Sequence, residues 1–482
     1  MAVLALETST SSAKALVFDL QEGIIECCRS NYPPDISGRG MSDAQAVYRL
    51  CLKTGREAVA AAGTALSRAG HELTIDAVAL CGTWHGMCAL DADMQPVSPV
   101  YSWNFTGTAG ICASIRQNDE LTGEIYRRSG CMPHCTYPRH AIQYMKQEGM
   151  DLSDKRFITQ GAYNFWGMTG YYEETVCTQS GSGLINLEKQ AYDPLILELT
   201  DIDASQLGAL TDYRHPRPLN RQAADVLGLK PGIPVIPAHA DGAMNQIGNY
   251  ASGCDVMTLS VGTSGAIRMV TGRPKVSPKR ALWCYCAAEG WITGASTAGA
   301  CNCLNWFMKG PGAGRSFREL EDTQDAVTDV PVFLPFLYGE RCPGWRDERE
   351  GGFWHLSGQH TAAHMYKSVQ MGILYNLKKC YGEMTAENSA PRQIIVSGGI
   401  SNSRQWVQML ADIFERDVLV SDFSNASTIG AAVLALVQTG ELRSIKDFRW
   451  GSDRLVAVRA REDQYPFYRE MYEEWNEAYR SL

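Results

Sequence analysis

The chain has 482 residues, 45% hydrophobic and 20% charged, with 44 Lys and Arg against 53 Asp and Glu, a formal net charge of −9. That length suits two or three domains with sizeable cores, and the composition excludes wholesale disorder and fibrous repeats. A mildly acidic chain without a Lys/Arg block argues against nucleic acid and anionic membrane as partners.

No apolar run approaches the ~18 residues of a membrane span. The amino terminus, MAVLALETSTSSAK, has no basic n-region and carries Glu7 inside its short apolar stretch, which argues against a signal peptide. The expected location is the cytoplasm. Sixteen cysteines include no CxxC pair. Small buried thiols in a reducing compartment are the expectation, ahead of a disulfide framework or structural zinc.

In chain order, residues 2–17 (AVLALETSTSSAKALV) read as an apolar strand, a hydroxyl-rich turn and a second strand. Ser42 or Asp43 caps a helix with Ala46, Val47, Leu50 and Ala58 on its apolar face, ending near Gly70. Ile75 to Cys81 and Ile233 to Pro237 are buried strands. Residues 255–270 (DVMTLSVGTSGAIRMV) repeat the opening pattern half a chain later, pairing Leu6 with Leu259 and Thr10 with Thr263. Coincidence between two similar hairpins and a chain of two similarly built halves both remain open at this level.

A strand at Gln393 to Val396 stops at Gly398-Gly399. It is followed by a helix presenting Trp406, Met409, Leu410 and Ile413, a strand at Val418 to Val420 and a helix from Ser427 to about Gln438. The last ~25 residues, with Tyr468, Met471, Tyr472 and Trp475, form an amphipathic terminal helix. The alternation indicates α/β layers. The division into halves falls near Met244–Asp255, giving residues 1–245 and 246–482.

Five of the eight residues from Glu7 to Lys14 carry a hydroxyl. Short hydroxyls and tightly turned N–H groups cradle phosphate oxygens. Glu7 ends a strand, where it could hold hydrated Mg²⁺ through oxygen. The turn Gly262-Thr263-Ser264-Gly265 is a second phosphate clamp, and no GxxxxGK[ST] motif occurs. Asp241-Gly242 closes a strand. An Asp before Gly is often only a helix cap, yet a carboxylate there also suits the proton acceptor of phosphoryl transfer.

Together these segments resemble the FGGY carbohydrate kinases from Leu4 to about Gly440. The resemblance rests on Glu7 to Lys14, Trp84-His85-Gly86, Asp241-Gly242, the GTSG turn and the segment FLPFLYGERCPGW from Phe333 to Trp345. Gly398-Gly399, Trp406 and Ile429 to Ala432 complete it. It implies two actin-like, ribonuclease H-like domains, with residues 1–245 on the sugar side, 246–482 on the nucleotide side and the cleft between them. It implies ATP-dependent phosphorylation of a hydroxyl of an open-chain sugar, sugar acid (gluconate-like) or polyol, the segment from Phe333 looking most like gluconate kinases, with Mg²⁺ as cofactor and a homodimer as one admissible assembly.

The roles it implies are Asp241 as general base and, with Glu7, as metal ligand. Thr10, Ser11 and Lys14 would face the transferred phosphoryl group, and Gly262, Thr263 and Gly265 would clamp phosphates. Gly299, Gly398, Gly399 and Asn402 would line the nucleotide, and Trp84, His85, Trp103, Asn104 and Asp241 would contact the sugar.

The chain departs from the family pattern at Glu7 (usually Asp), Ser9 (usually Gly) and Thr83-Trp84 (usually Gln-Met). In Trp103-Asn-Phe105-Thr-Gly107 both usual charged residues are missing. That loss predicts a substrate carrying less charge than usual, unless Arg127, Arg128 or Arg139 replaces the missing cation. Two other readings are an actin-like ATPase or chaperone-type module and a catalytically weakened sugar-binding relative.

Overall fold

The computed structural model describes residues 1–324, 327–421 and 425–481. The predicted opening hairpin is β1 (Ala2–Thr8) and β2 (Ser12–Asp19), with Val3 opposite Phe18 and Glu7 opposite Lys14. β3 (Gly23–Asn31) continues the meander, and α1 (Ala44–Arg68) leads to β4 (Ile75–Gly82), which pairs parallel with β1. After a long excursion β5 (Pro234–Ala240) pairs parallel with β4 and runs directly into α2 (Asp241–Gly248).

The second half opens with the hairpin of β6 (Val256–Val261) and β7 (Gly265–Thr271), then β8 (Trp283–Cys286) and β9 (Trp291–Thr297). Next come α3 (Cys301–Lys309), α4 (Ala362–Glu387), β10 (Gln393–Ser397), α5 (Arg404–Phe414), β11 (Val418–Val420), α6 (Ala426–Gln438) and α7 (Tyr465–Ser481).

The two sheets share a plan. In the first the order is β5-β4-β1-β2-β3, and in the second β11-β10-β6-β7-β9, each an antiparallel meander extended by two parallel strands. The likeness between the two opening segments is therefore a duplication of topology, the two-domain actin-like arrangement that the resemblance implied. The division at residue 245 falls inside α2, which stays helical to Gly248.

Helix α1 shows how packing refines a periodicity. Asp43 is the N-cap, accepting from the Ala46 N–H at 2.8 Å. Its buried face is Ala44, Val47, Cys51, Thr54, Gly55, Ala58 and Ala62, while Ala46 and Leu50, expected on that face, are only half-buried. Small residues dominate because α1 lies close against the sheet, where Gly55 meets Leu6 and Leu227. The faces of α5 and α7 agree with the sequence pattern, with Trp406, Met409, Leu410, Ile413, Tyr468, Met471 and Trp475 all buried.

The halves meet through a crossing of α2 and α6. A Cβ on Gly248 would collide with the Ala426 carbonyl, and one on Gly430 with the Met244 carbonyl, so the helices touch backbone to backbone. One core cluster accordingly runs from Val3, Ala5 and Phe18 through Met244 to Ile429 and Val433. Replacing Gly248 or Gly430 by Ala should destabilise the chain by about 1–3 kcal/mol, the cost of overpacking a close contact. Chemical denaturation checks this, and an unchanged midpoint for both variants would contradict the crossing.

Candidate active site

The β1–β2 turn is tightened by its own hydroxyls, since the Ser9 N–H and Oγ both donate to the Ser12 carbonyl at 2.9 Å. Thr10 is partly buried and Ser11 exposed, leaving both at the mouth of the cleft. Glu7 is 3% exposed, and its carboxylate is held from both halves. Lys14 Nζ lies 3.3 Å from Oε1, while Ser427 Oγ (2.9 Å) and Thr428 Oγ1 donate to Oε2 from the first turn of α6. Glu7 thus ties the first phosphate turn to the far half, a role the sequence did not announce.

Asp241 starts α2, where the helix N-terminus favours an ionised carboxylate. The backbone N–H groups of Gly242 (2.8 Å, to Oδ1) and Trp84 donate to it. Its pKa is raised, first by burial and then by the charge of Glu7, against the opposing pull of Arg268. Arg268, on β7, donates to Ser260 Oγ at 3.2 Å, and its buried Nε has no partner among the described residues. The sequence reading passed over this Arg. Its signal was a cation inside an apolar strand one turn beyond a phosphate clamp.

Trp84 and His85 lie behind Asp241. Trp84 is 5% exposed, donates Nε1–H to the Cys177 carbonyl at 2.9 Å and packs edge-on against Trp283 and Tyr285 of the second half. Expected as a sugar contact, it is a buried wedge at the junction whose backbone N–H donates to Asp241. His85 donates Nδ1–H to the Gly181 carbonyl at 2.7 Å. Burial, then the charge of Arg341, holds its pKa down to about 3, so the ring is neutral.

On the opposite side three turns converge. The β6–β7 turn is pinned to the start of α3, where the Cys301 N–H donates to the Gly262 carbonyl at 2.9 Å and the Asn302 N–H to that of Thr263 at 3.3 Å. Parallel pairing of β6 with β10 sets Ser260 beside Ser397, which brings Gly398 under the same turn. Gly398 has φ 93°, and a Cβ there would lie 2.6 Å from the Val261 carbonyl, so only glycine fits. Gly399 adjoins Cys301, Gly299 packs against the Pro335 carbonyl, and Thr263 and Asn402 are exposed at the rim. The predicted nucleotide glycines are therefore neighbours, and Gly265 anchors the turn by donating its N–H to Thr297 Oγ1 at 3.2 Å.

The wall beyond Asp241 comes from both excursions. Trp103 donates Nε1–H to Thr10 Oγ1 at 3.0 Å, which joins the sugar side to the phosphate turn. Asn104 is exposed, and Phe105 turns away to pack on Tyr101 and Tyr144. Over the Trp103 ring, 5.8 Å from its centroid, lies the guanidinium of Arg341 from the second half. Arg127 pairs with Glu124, Arg128 with Glu124 and Asp193, and Arg139 is buried with its Nε 3.3 Å from His140 Nε2. Arg341 reaches the Trp103 wall, and its signal was already in the quoted GERCPGW segment.

Behind Arg341, Asp347 accepts from His134 Nε2 at 2.6 Å and lies 3.2 Å from Arg116 Nη1, with Cys135 Sγ at 3.1 Å. The Thr136 N–H donates to His134 Nδ1, which fixes the tautomer. All sixteen cysteines are free thiols, and most are buried. Among the described residues no helix is long and apolar enough to cross a membrane.

A hydroxyl- or glycine-rich turn from each half, with a strand-end carboxylate at their seam, forms the candidate phosphotransfer cleft. Residues 2–248 match the N-terminal domain of the FGGY family of carbohydrate kinases, and residues 257–439 match its C-terminal domain. The chain belongs to this family. It is an enzyme that transfers a phosphoryl group to an alcohol group of a carbohydrate, with ATP as the donor the family uses.

A gluconokinase of Bacillus subtilis (strain 168) is 26% identical over 467 residues, covering 92% of this chain and 88% of the relative. A xylulose kinase of Lactococcus lactis subsp. lactis (strain IL1403) is 24% identical over 458 residues, covering 92% and 89%. The crystal structure of a gluconate kinase from Lactobacillus acidophilus superposes with a TM-score of 0.90 at 21% identity, covering 100% of this chain and 98% of that one. The FGGY kinase fold read from the sequence is thus shown, and the chaperone-type ATPase reading is not favoured.

Two outcomes test this geometry. With Asp241 as the proton acceptor proposed below, its raised pKa means that activity should fall with decreasing pH from above the usual carboxylate range. Arg268→Met removes a charge that holds the pKa down, and should move that acid limb to still higher pH in a kcat/KM profile; a limb that stays or moves down contradicts the coupling. Separately, Glu7→Gln should lower stability by about 1–3 kcal/mol. Glu7→Asp, one methylene short of Ser427 and Thr428, should lose part of the same amount; parent-like denaturation of both would remove Glu7 from the junction.

Proposed function

We propose that the chain transfers the γ-phosphoryl group of ATP to a hydroxyl of an open-chain sugar, sugar acid or polyol, with Asp241 as general base. The observation that carries this reading is the placement of Asp241. It sits at the seam of the two halves, held by two backbone N–H groups and flanked by Glu7 and Arg268. A carboxylate with a raised pKa is a stronger base than a free one and accepts the proton of the attacking hydroxyl more readily.

Little covalent chemistry is asked of the protein in phosphoryl transfer, so positioning dominates. In this reading Thr10, Ser11 and Lys14 face the transferred group. Gly262, Thr263 and Gly265 hold phosphates from the far side, and Gly299, Gly398, Gly399 and Asn402 line the nucleotide. His85, Trp103 and Asn104 bound the sugar.

Glu7 and Asp241 offer oxygen donors only, and the charge of Glu7 raises the Asp241 pKa, so the pair suits a hard cation that relieves their repulsion. Mg²⁺ is the cation proposed, and it would neutralise charge on the β- and γ-phosphates. The proposed setting is the cytoplasm, where ATP is supplied.

Asp241→Asn keeps the shape and removes the proton acceptor. It should lower kcat by about 10²–10⁴-fold while ATP affinity stays within a few fold. ADP release measured over a panel of sugars, sugar acids and polyols checks this, and near-parent turnover would take Asp241 out of the role.

A further inference from the structure

The last turns of α7 hold a loop of the second half that reaches the acceptor wall. Strands Val332–Leu334 and Gly352–Trp354 pair antiparallel, and residues 335–351 loop out between them. The loop touches three places. The Pro335 carbonyl packs against Gly299 at the nucleotide turn, the Arg341 guanidinium lies over the Trp103 ring, and Asp347 accepts from His134 and Arg116 of the first half. A loop keeps such a course only where its polar groups are held.

The pin is Glu340. Its side chain is fully enclosed, with Oε2 paired to Arg349 Nη1 at 2.8 Å and Oε1 accepting the Gly344 N–H at 3.2 Å and the Tyr479 hydroxyl at 2.6 Å. Gly344 and Arg349 belong to the loop itself, so of these three partners Tyr479 is the one that ties it to a separate element. Burial, then the Glu340 charge, pushes the Tyr479 phenol up, which keeps it a donor. Its ring is fixed independently. It stacks on Trp475 at 5.2 Å, one turn back on the same face of α7, and the Arg349 guanidinium lies over it, 3.9 Å from the ring centroid. α7 begins at Tyr465, well after residue 439, where the match to the family's C-terminal domain ends.

Resting on the acceptor wall of the proposed function above, we infer that Tyr479 is a positioning residue for the acceptor side of the site: its hydroxyl fixes Glu340, and Glu340 fixes the neighbouring Arg341 on Trp103. The nucleotide end of the loop is held separately, because Trp475 Nε1–H donates to the Phe333 carbonyl at 3.0 Å and Pro335 directly follows the paired strand. Losing the Tyr479 hydroxyl therefore loosens one end of the loop and leaves the other in place. Glu340 keeps Arg349 and the Gly344 N–H, so the buried charge stays paired and the fold stands. A small displacement of a group that orients the acceptor lowers the rate steeply.

The test uses Tyr479→Phe, which keeps the ring and its stacking. Tyr472→Phe is the control, since it removes a hydroxyl of the same helix that bonds Asn476 instead. Hydrogen exchange followed by mass spectrometry should show faster exchange in peptides covering residues 338–349 of Tyr479→Phe, with α2 and β7 unchanged. On the acceptor that the parent uses best, kcat/KM for that acceptor should fall roughly 10-fold, with the KM for ATP within about twofold. Charged and neutral acceptors should lose the same proportion, because the loop is displaced and no charge is removed. Tyr472→Phe should match the parent in exchange and kinetics, and thermal unfolding should show both variants folded.

A parent-like exchange pattern or a parent-like acceptor kcat/KM in Tyr479→Phe overturns the inference. So does a loss shared equally by ATP and acceptor, or the same losses in Tyr472→Phe, since either marks a merely structural role of the helix. A parent protein inactive on every acceptor overturns the kinase reading and the positioning role with it, whereas an active parent with a parent-like Tyr479→Phe removes the positioning role alone.

Discussion

Backbone contact between α2 and α6 is the constraint on which the site depends. Helices this close require glycine at Gly248 and Gly430, and the contact fixes how the two sheets face each other. Both helices deliver chemistry at the same point. α2 begins with Asp241, and the first turn of α6 offers Ser427 and Thr428 to Glu7. One packing event therefore sets Asp241, the Glu7 carboxylate near it and the spacing of the two hairpin turns. Trp84, wedged between Gly181, Gly242, Trp283 and Tyr285, fills the remaining space at the junction.

Charge is concentrated where the halves meet. The chain carries a net charge of −9, yet its cleft gathers Lys14, Arg268 and Arg341 around Glu7 and Asp241. Lys14 is balanced by Glu7, Arg268 acts on Asp241, and Arg341 forms no ion pair among the described residues. A cleft lined this way draws anions toward its cations. Low dielectric at these buried positions makes each pairing count for more than it would in water.

The shared plan of the two sheets explains the division of labour. Each half supplies a hydroxyl- or glycine-rich turn between its first two strands, and each elaborates the plan with an excursion. The first half's excursion carries Trp84, His85 and Trp103, and the second half's carries Arg341. The acceptor wall is assembled from both, and the Trp103 Nε1–H to Thr10 bond ties that wall to the phosphate turn.

Much of this was legible in the chain itself. Strand alternation and capping residues located β1, β4, β10, α1, α5 and α7, because local periodicity reports which face is buried. The paired hairpins announced two similar halves, and Asp241, Gly262 and Gly398 stood at strand ends where a cleft forms. Three assignments needed the tertiary structure. Trp84 reads only as a sugar contact until the second half closes over it and makes it part of the junction. Glu7 reads as a metal ligand alone until α6, far along the chain, brings two hydroxyls to it and adds a second role at the junction. The loss of charge near Phe105 leaves the Trp103 wall without a cation until Arg341 arrives from the other half. In each case the deciding partner lies hundreds of residues away. Periodicity and motif spacing describe a segment's own conformation, whereas which distant side chain fills the space beside it is settled only by packing.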